Sequence, residues 1–301
     1  MKRPSSPFFT GLFLVTLHLT AACGADGDEV RAPLAVGAIP DQDPEVLQRT
    51  YGRLVEYLEA ELDVDVVYRP VTDYSAAVSA FRVGDLDLVW FGGLTGVQAR
   101  LQVPGAEALV QRAQDQEFRS VFIARRDRGL APFEDLEGLE ALRGRTFTFG
   151  SESSTSGRLM PQHFLAEAGV IPDDFRGEPG FSGSHDATIQ LVEAGSYEAG
   201  ALNEQVWDAR VRSGAVDTTR VVALWRTPPY HDYHWVVRPA LNERYGSGFT
   251  ERIREAFLML DDSDPMGREV LELFGAERFV PTRDENYAQI EAVGRELGRI
   301  R

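Results

Sequence analysis

The sequence predicts an α/β architecture built on mainly parallel sheets with flanking helices. Short runs rich in β-branched and aromatic residues alternate with amphipathic stretches of helical period along most of the chain. Residues 23–301 are also long enough to bury one large core or two moderate ones. The single cysteine, Cys23, rules out an internal disulfide, so the core alone must hold the fold.

The N-terminus stands apart from this rhythm. Lys2 and Arg3 precede an apolar stretch over 8–22, interrupted by Thr16, His18 and Thr20. That is the layout of a secretory signal peptide, and it is too short for a comfortable membrane span. It ends in Leu19-Thr-Ala-Ala-Cys23, which resembles a bacterial lipoprotein cleavage site. The segment leaves two outcomes open: lipidation of Cys23, or plain cleavage near Ala22. Residues 1–22 are therefore read as a signal peptide, and 23–32, acidic and glycine-containing over 25–29, as a tether.

The α/β elements then follow in order. Residues 34–39 read as a strand, and 43–62 place apolar side chains at 46, 47, 51, 54, 55, 58 and 62 on one helical face. A strand over 64–68, a helix over 74–83 and a strand over 86–91 come next. Further strands fall at 107–111, 119–125, 145–149, 198–202, 220–225 and 233–237, and helices over 249–259, 264–274 and 284–298 close the chain.

Lysine and arginine total 31 against 47 acids, a net charge of −16 that becomes −18 once Lys2 and Arg3 are removed. Nucleic acid is excluded as a partner, since a phosphate backbone needs basic stripes and none is present. An anionic ligand is not, because remote exposed charges are screened over roughly 8–10 Å and a pocket answers to its own donors.

Ligands of open α/β sheets sit beyond the carboxyl ends of strands, where helices begin. Four places qualify: Thr72-Asp73-Tyr74, the glycine pair in 90–95, the turn GSESSTSGRLMP at 150–161, and the turn at 180–187 with His185. The 150–161 turn is not a P-loop, since Arg158 follows the second glycine and six residues separate the glycines. Hydroxyl clusters at helix starts favour anions through free N–H groups and the helix dipole. The same residues are also ordinary N-caps: Ser154, Thr155, Ser156, Asp73 and Asn203 followed by Glu204 all fit that role. A hydrolase lacks its nucleophile elbow, and His231 and His234 fall on opposite faces of a strand, so neither catalysis nor a resident metal is expected.

Taken in order, the export signal with its lipobox, TDYSAAVSAFRVGDLDLVWFGG (72–93), ESSTSGRLMP (152–161) and GSHDATIQLV (183–192) resemble the phosphonate- and phosphite-binding proteins of ABC importers. The resemblance covers nearly the whole exported chain. AIPDQDP (38–44), WFGGLTGVQARL (90–101) and TFTFGSESSTSGRLMP (146–161) look closest to a branch described as selenate importers. It implies a two-lobed type II periplasmic binding protein with a ligand cleft between the lobes. The lobes are expected over 33–124 and 125–225, with 226–301 returning to the first, and crossings near 118–125 and 224–237. It implies that Tyr74, Ser154, Thr155, Ser156 and His185 grip a small tetrahedral oxyanion, with Glu204 and Asp232 as acids near an aminoalkyl group. The chain departs from the pattern at Phe91, where some members carry a ligand-gripping tyrosine, and this favours a smaller oxyanion. The partners implied are a membrane permease and, through Cys23, the membrane itself. The receptor is expected to be an exported monomer at the periplasm or cell surface, without cofactor. A selenate- or sulfate-like ligand and a ligand-sensing role remain as alternatives.

Overall fold

The computed structural model describes residues 32–301 together with Met1. The signal peptide, Cys23 and the tether through residue 31 lie outside the described residues. Among the described residues no helix is long and apolar enough to cross a membrane.

The chain first lays down β1 (Leu34–Ala38), α1 (Pro44–Leu62), β2 (Val66–Tyr68), α2 (Tyr74–Val83), β3 (Leu88–Phe91), α3 (Gly93–Gln102) and β4 (Glu107–Arg112). The apolar face read from the sequence explains α1: Leu47, Tyr51, Leu54, Leu58 and Leu62 are all buried. Asp43 caps its start by accepting from the Glu45 N–H at 2.9 Å.

The chain then crosses to a second sheet made of β5 (Ser120–Arg125), β6 (Phe147–Phe149), β7 (Gly180–Phe181), β8 (Ala199–Asn203) and β9 (Val221–Arg226). Helices α4 (Met160–Glu167), α5 (His185–Ala194) and α6 (Glu204–Arg212) belong to this lobe. After a second crossing, β10 (His234–Val237) and β11 (Phe279–Pro281) complete the first sheet, with α7 (Leu241–Tyr245), α8 (Phe249–Leu258), α9 (Pro265–Phe274) and α10 (Ala288–Glu296) around it. The sheets run β11-β4-β10-β3-β1-β2 and β7-β6-β8-β5-β9.

Both sheets are mixed, which corrects the mainly parallel expectation. β1 pairs in parallel with β2 and β3, and β6 with β7 and β8, the pairings that helical crossovers produce. β10 runs antiparallel to β3 and β4, and β5 antiparallel to β8 and β9. β5 and β10 enter their sheets directly from the other lobe, without a helix to turn them, so the crossover rule does not govern them.

All of β5 pairs in the second sheet, so the first crossing is complete before Ser120, earlier than the expected boundary at 125. Between the crossings, Phe118 and Tyr230 exchange two backbone hydrogen bonds, each 2.9 Å. The 150–161 turn becomes a π-helical turn over Thr155–Leu159 that runs straight into α4.

Candidate functional site

The start of α3 is built to meet an acceptor. Gly92 occupies its N-cap position and so brings no capping side chain. A Cβ there would lie 3.1 Å from Thr155 Oγ1 and 3.2 Å from Asp232 Oδ1, so any larger residue would press on both groups and glycine gives them room. The exposed amides are taken up from outside the helix: Gly93 N–H donates to Asp232 Oδ1 at 2.7 Å, and Leu94 N–H to Thr155 Oγ1 at 2.9 Å. Asp232 therefore holds the position that an anion takes at a helix N-terminus. Its other oxygen, Oδ2, is buried without a hydrogen-bond partner among the described residues. Burial pushes the Asp232 carboxyl up to about 7, against the pull of the Gly93 N–H.

The second lobe presents Ser154, Thr155 and Ser156, all buried, on the loop after β6. Ser154 is the N-cap of the π-helical turn, its hydroxyl accepting from Gly157 N–H at 2.9 Å. The capping reading thus holds for Ser154, while Thr155 reaches across to the first lobe. Opposite them, Asp73 caps α2 through Ala76 N–H at 2.8 Å and fixes Tyr74 as the first helical residue. Tyr74 is 2% exposed and its phenol oxygen has no hydrogen-bond partner among the described residues. Burial and the charges of Asp41 and Asp232 keep this phenol protonated, with Ser154 acting the other way. Tyr74, Ser154, Thr155 and Asp232 are thus brought together, with Ser156 buried next to Thr155 in the chain.

Beside them lies a second cross-lobe network. Asn203 N–H donates to His185 Nδ1 at 3.3 Å, so the imidazole proton sits on Nε2, which donates to Tyr233 Oη at 3.2 Å. Asn203 Nδ2 also donates to Tyr233 Oη at 3.3 Å, and the phenol in turn donates to Asp41 Oδ2 at 2.7 Å. Backbone bonds reinforce the clasp, with His185 N–H on the Asp41 carbonyl at 3.0 Å and Asp43 N–H on Asp186 Oδ2 at 3.1 Å. Burial lowers His185 to about 4 and raises Asp41 to about 6. Both imidazole nitrogens are engaged by protein groups, so His185 ties the lobes together beside the hydroxyl cluster.

Two expected site residues lie elsewhere. Phe91 is fully buried and packs edge-on against Phe81 in the first lobe's core, because alternation along β3 turns it away from Trp90. Trp90 is the residue that reaches the cleft, stacked on Tyr233 at 5.6 Å. Glu204 forms an ion pair with Arg226 at 2.6 Å, and the same guanidinium binds Asp208. It is a first-turn acid of α6 with a partner of its own, not a carboxylate facing Tyr74 and Thr155.

The sequence does not single out Asp41, Asn203 and Tyr233 as members of this network. Asp41 sits beyond the carboxyl end of β1, so the strand-end rule could have found it. Asn203 does cap α6, accepting from Gln205 N–H at 2.7 Å, which hid its second role. A cavity of about 640 Å³ is lined by Asp41, Tyr51, Trp90, Arg112, Asn203 and Tyr233 but not by the hydroxyl cluster. The unpartnered Tyr74 phenol and Asp232 Oδ2 and the amides at the start of α3 converge at the cluster instead.

The Ser154 hydroxyl accepts from Gly157 N–H, and His185 Nε2 donates to Tyr233 Oη. His231 Nδ1 is within 3.3 Å of Gln111, and His234 stacks on Tyr287 at 3.8 Å with Nδ1 on the Asp232 carbonyl.

Comparison with known proteins agrees with this architecture. A family model described as ABC transporter, phosphonate, periplasmic substrate-binding protein matches residues 36–287. The chain is 48% identical over 269 residues to the probable ABC transporter phosphite binding protein PhnD1 of Prochlorococcus marinus, covering 89% of this chain and 91% of that one. It is 24% identical to the phosphate-import protein PhnD of Mycolicibacterium smegmatis over 72% of each chain. The solved structure of PhnD1 from Prochlorococcus marinus with methylphosphonate superposes with a TM-score of 0.87 at 47% identity, covering 89% of this chain and 98% of that one.

Proposed function

Because the chain belongs to the phosphonate-type periplasmic substrate-binding proteins of ABC transporters, we propose that it captures a protonated phosphorus oxyanion, phosphite or a small phosphonate, for its permease. The relatives supply the precedent: one is named for phosphite, and the same protein's structure holds methylphosphonate. The observation that carries the reading here is Asp232, buried, held near neutrality and with Oδ2 unpartnered next to the hydroxyl cluster.

A tetrahedral oxyanion needs donors from several directions. Tyr74, Ser156 and the hydroxyl of Thr155 supply them in this reading, with the α3 amides behind. Phosphite and phosphonates keep a proton on oxygen near neutral pH and donate it to the Asp232 carboxylate. Selenate and sulfate have no such proton, so the same carboxylate repels them. Asp41, Tyr233, His185 and Asn203 hold the lobes shut around the ligand rather than touching it. Phe91 lies in the core and does not bear on the length of the ligand's organic group. Cys23 would anchor the receptor to the membrane surface beside the permease.

Calorimetry with phosphite, methylphosphonate, phosphate, selenate and sulfate tests this. The expected result is binding of phosphite or methylphosphonate, with selenate and sulfate much weaker at pH 8. Tight selenate binding with no detectable phosphite or phosphonate would overturn the reading.

A further inference from the structure

Nine buried side-chain nitrogen and oxygen atoms lack a hydrogen-bond partner among the described residues, and four of them belong to Arg158, Gln162 and Arg299. Arg158 leaves Nε and Nη1 unpartnered, Gln162 its Oε1, and Arg299 its Nε. Arg158 sits in the π-helical turn, with Gln162 one turn further along the same helical face. Helix α10 packs on that turn and on α4, and Arg299 follows α10 directly. The three residues thus lie on or directly after elements that pack together where the second lobe touches the C-terminal end of the first.

Arg158 is 5% exposed. Its guanidinium lies 4.2 Å from the Phe149 ring centroid and 5.1 Å from that of Phe181. Those rings satisfy its faces and leave its N–H edge unanswered. Neither Arg158 nor Arg299 has a carboxylate partner among the described residues, and the Arg299 charge acts on Arg158. Glu152 is the acid whose charge reaches Arg158, and it is exposed on the preceding loop.

Two neighbouring guanidiniums with buried N–H groups and nothing to receive them are costly, unless an anion takes the N–H groups and the charge together. We propose that Arg158 and Arg299, with Gln162 beside them, form a second anion site between the lobes, for a small monovalent anion of the halide class. The occupant must be enclosed, since the unpartnered nitrogens are buried. A weakly hydrated monovalent ion loses least on entering, whereas a dianion would forfeit far more hydration. Turning the Gln162 amide over presents its NH₂ to the ion and leaves no buried acceptor unpaired. Because Arg158 belongs to the second lobe and Arg299 to the tail of the first, the ion ties the two lobes.

Crystals of the exported chain grown in sodium bromide provide the first readout, by anomalous scattering. Melting temperature in sodium chloride against sodium gluconate at equal ionic strength provides the second. The expected results are a bromide peak between Arg158 and Arg299, and a melting temperature that rises with chloride and saturates. Arg299→Gln, at a partly exposed position, should abolish that rise. A water molecule in place of the bromide peak, or an undiminished chloride response in Arg299→Gln, would overturn the proposal.

Discussion

The backbone N–H of Leu94 in one lobe meets the hydroxyl oxygen of Thr155 in the other at 2.9 Å. One residue thereby joins the hydroxyl-rich loop after β6 to the N-terminal end of α3. Thr155→Ala should weaken methylphosphonate binding by about ten- to a hundredfold, the cost of a hydrogen bond to a charged group. The melting temperature without ligand should change little. Calorimetry and a thermal melt on the same variant check this, and equal loss of stability with unchanged affinity would return Thr155 to a purely structural role.

Asp232 should set both ligand choice and pH dependence. Its folded pKa, about 7, lies above the ordinary 3.8, so ionising it opposes the closed form, and that opposition grows as pH rises toward 7. Selenate or sulfate can enter only when this carboxyl is protonated. Their affinity should therefore fall about tenfold per pH unit above 7, the slope of one linked proton. Asp232→Asn should remove that slope, strengthen selenate and weaken phosphite, as competition calorimetry from pH 6 to 9 would read.

The clasp at Tyr233 should act on closure. Tyr233→Phe leaves the His185 Nε2 proton and the Asp41 carboxylate buried without their partner. The penalty falls on the closed form, and ligand affinity should drop about five- to a hundredfold. Small-angle scattering should show a larger radius of gyration at a given ligand concentration. His185 adds a pH signature of opposite sign to the buried acids. Its pKa is depressed from 6.5 to about 4, so its contribution is complete above 6.5 and is lost as pH falls toward 4. His185→Gln should flatten that acid limb of the melting curve.

Glu204→Gln should leave ligand affinity within about twofold, because its carboxylate serves Arg226. That pair is partly exposed, so the stability loss should stay under about 1 kcal/mol. A tenfold loss of phosphonate affinity would put Glu204 back in the cleft.

Much of this was legible in the sequence because it is local. The period of α1, the strand runs and the hydroxyl turn after β6 each depend on residues within one element. Asp232 was legible only through resemblance. Nothing around His231-Asp232-Tyr233 states that a glycine-capped helix 139 positions away will offer its amide. The placements of Phe91 and Glu204 were not legible for a related reason. Sequence places both at the right end of an element, but which side of a strand faces the cleft, and whether an arginine arrives from β9, are settled by tertiary packing. The antiparallel strands escaped because β5 and β10 read like any other apolar run, and their direction follows from the route of the chain between lobes.

The reciprocal Phe118–Tyr230 bonds have a mechanical consequence. Two crossings stitched side by side resist sliding past each other but bend together easily, which leaves the lobes close to a single soft degree of freedom. A jaw with one way to move loses little entropy on shutting, and Thr155 returns to the same amide on every cycle. Ordering of this kind is done at folding, so each capture event draws on it without repeating the cost, and the release step inherits the same reproducible path.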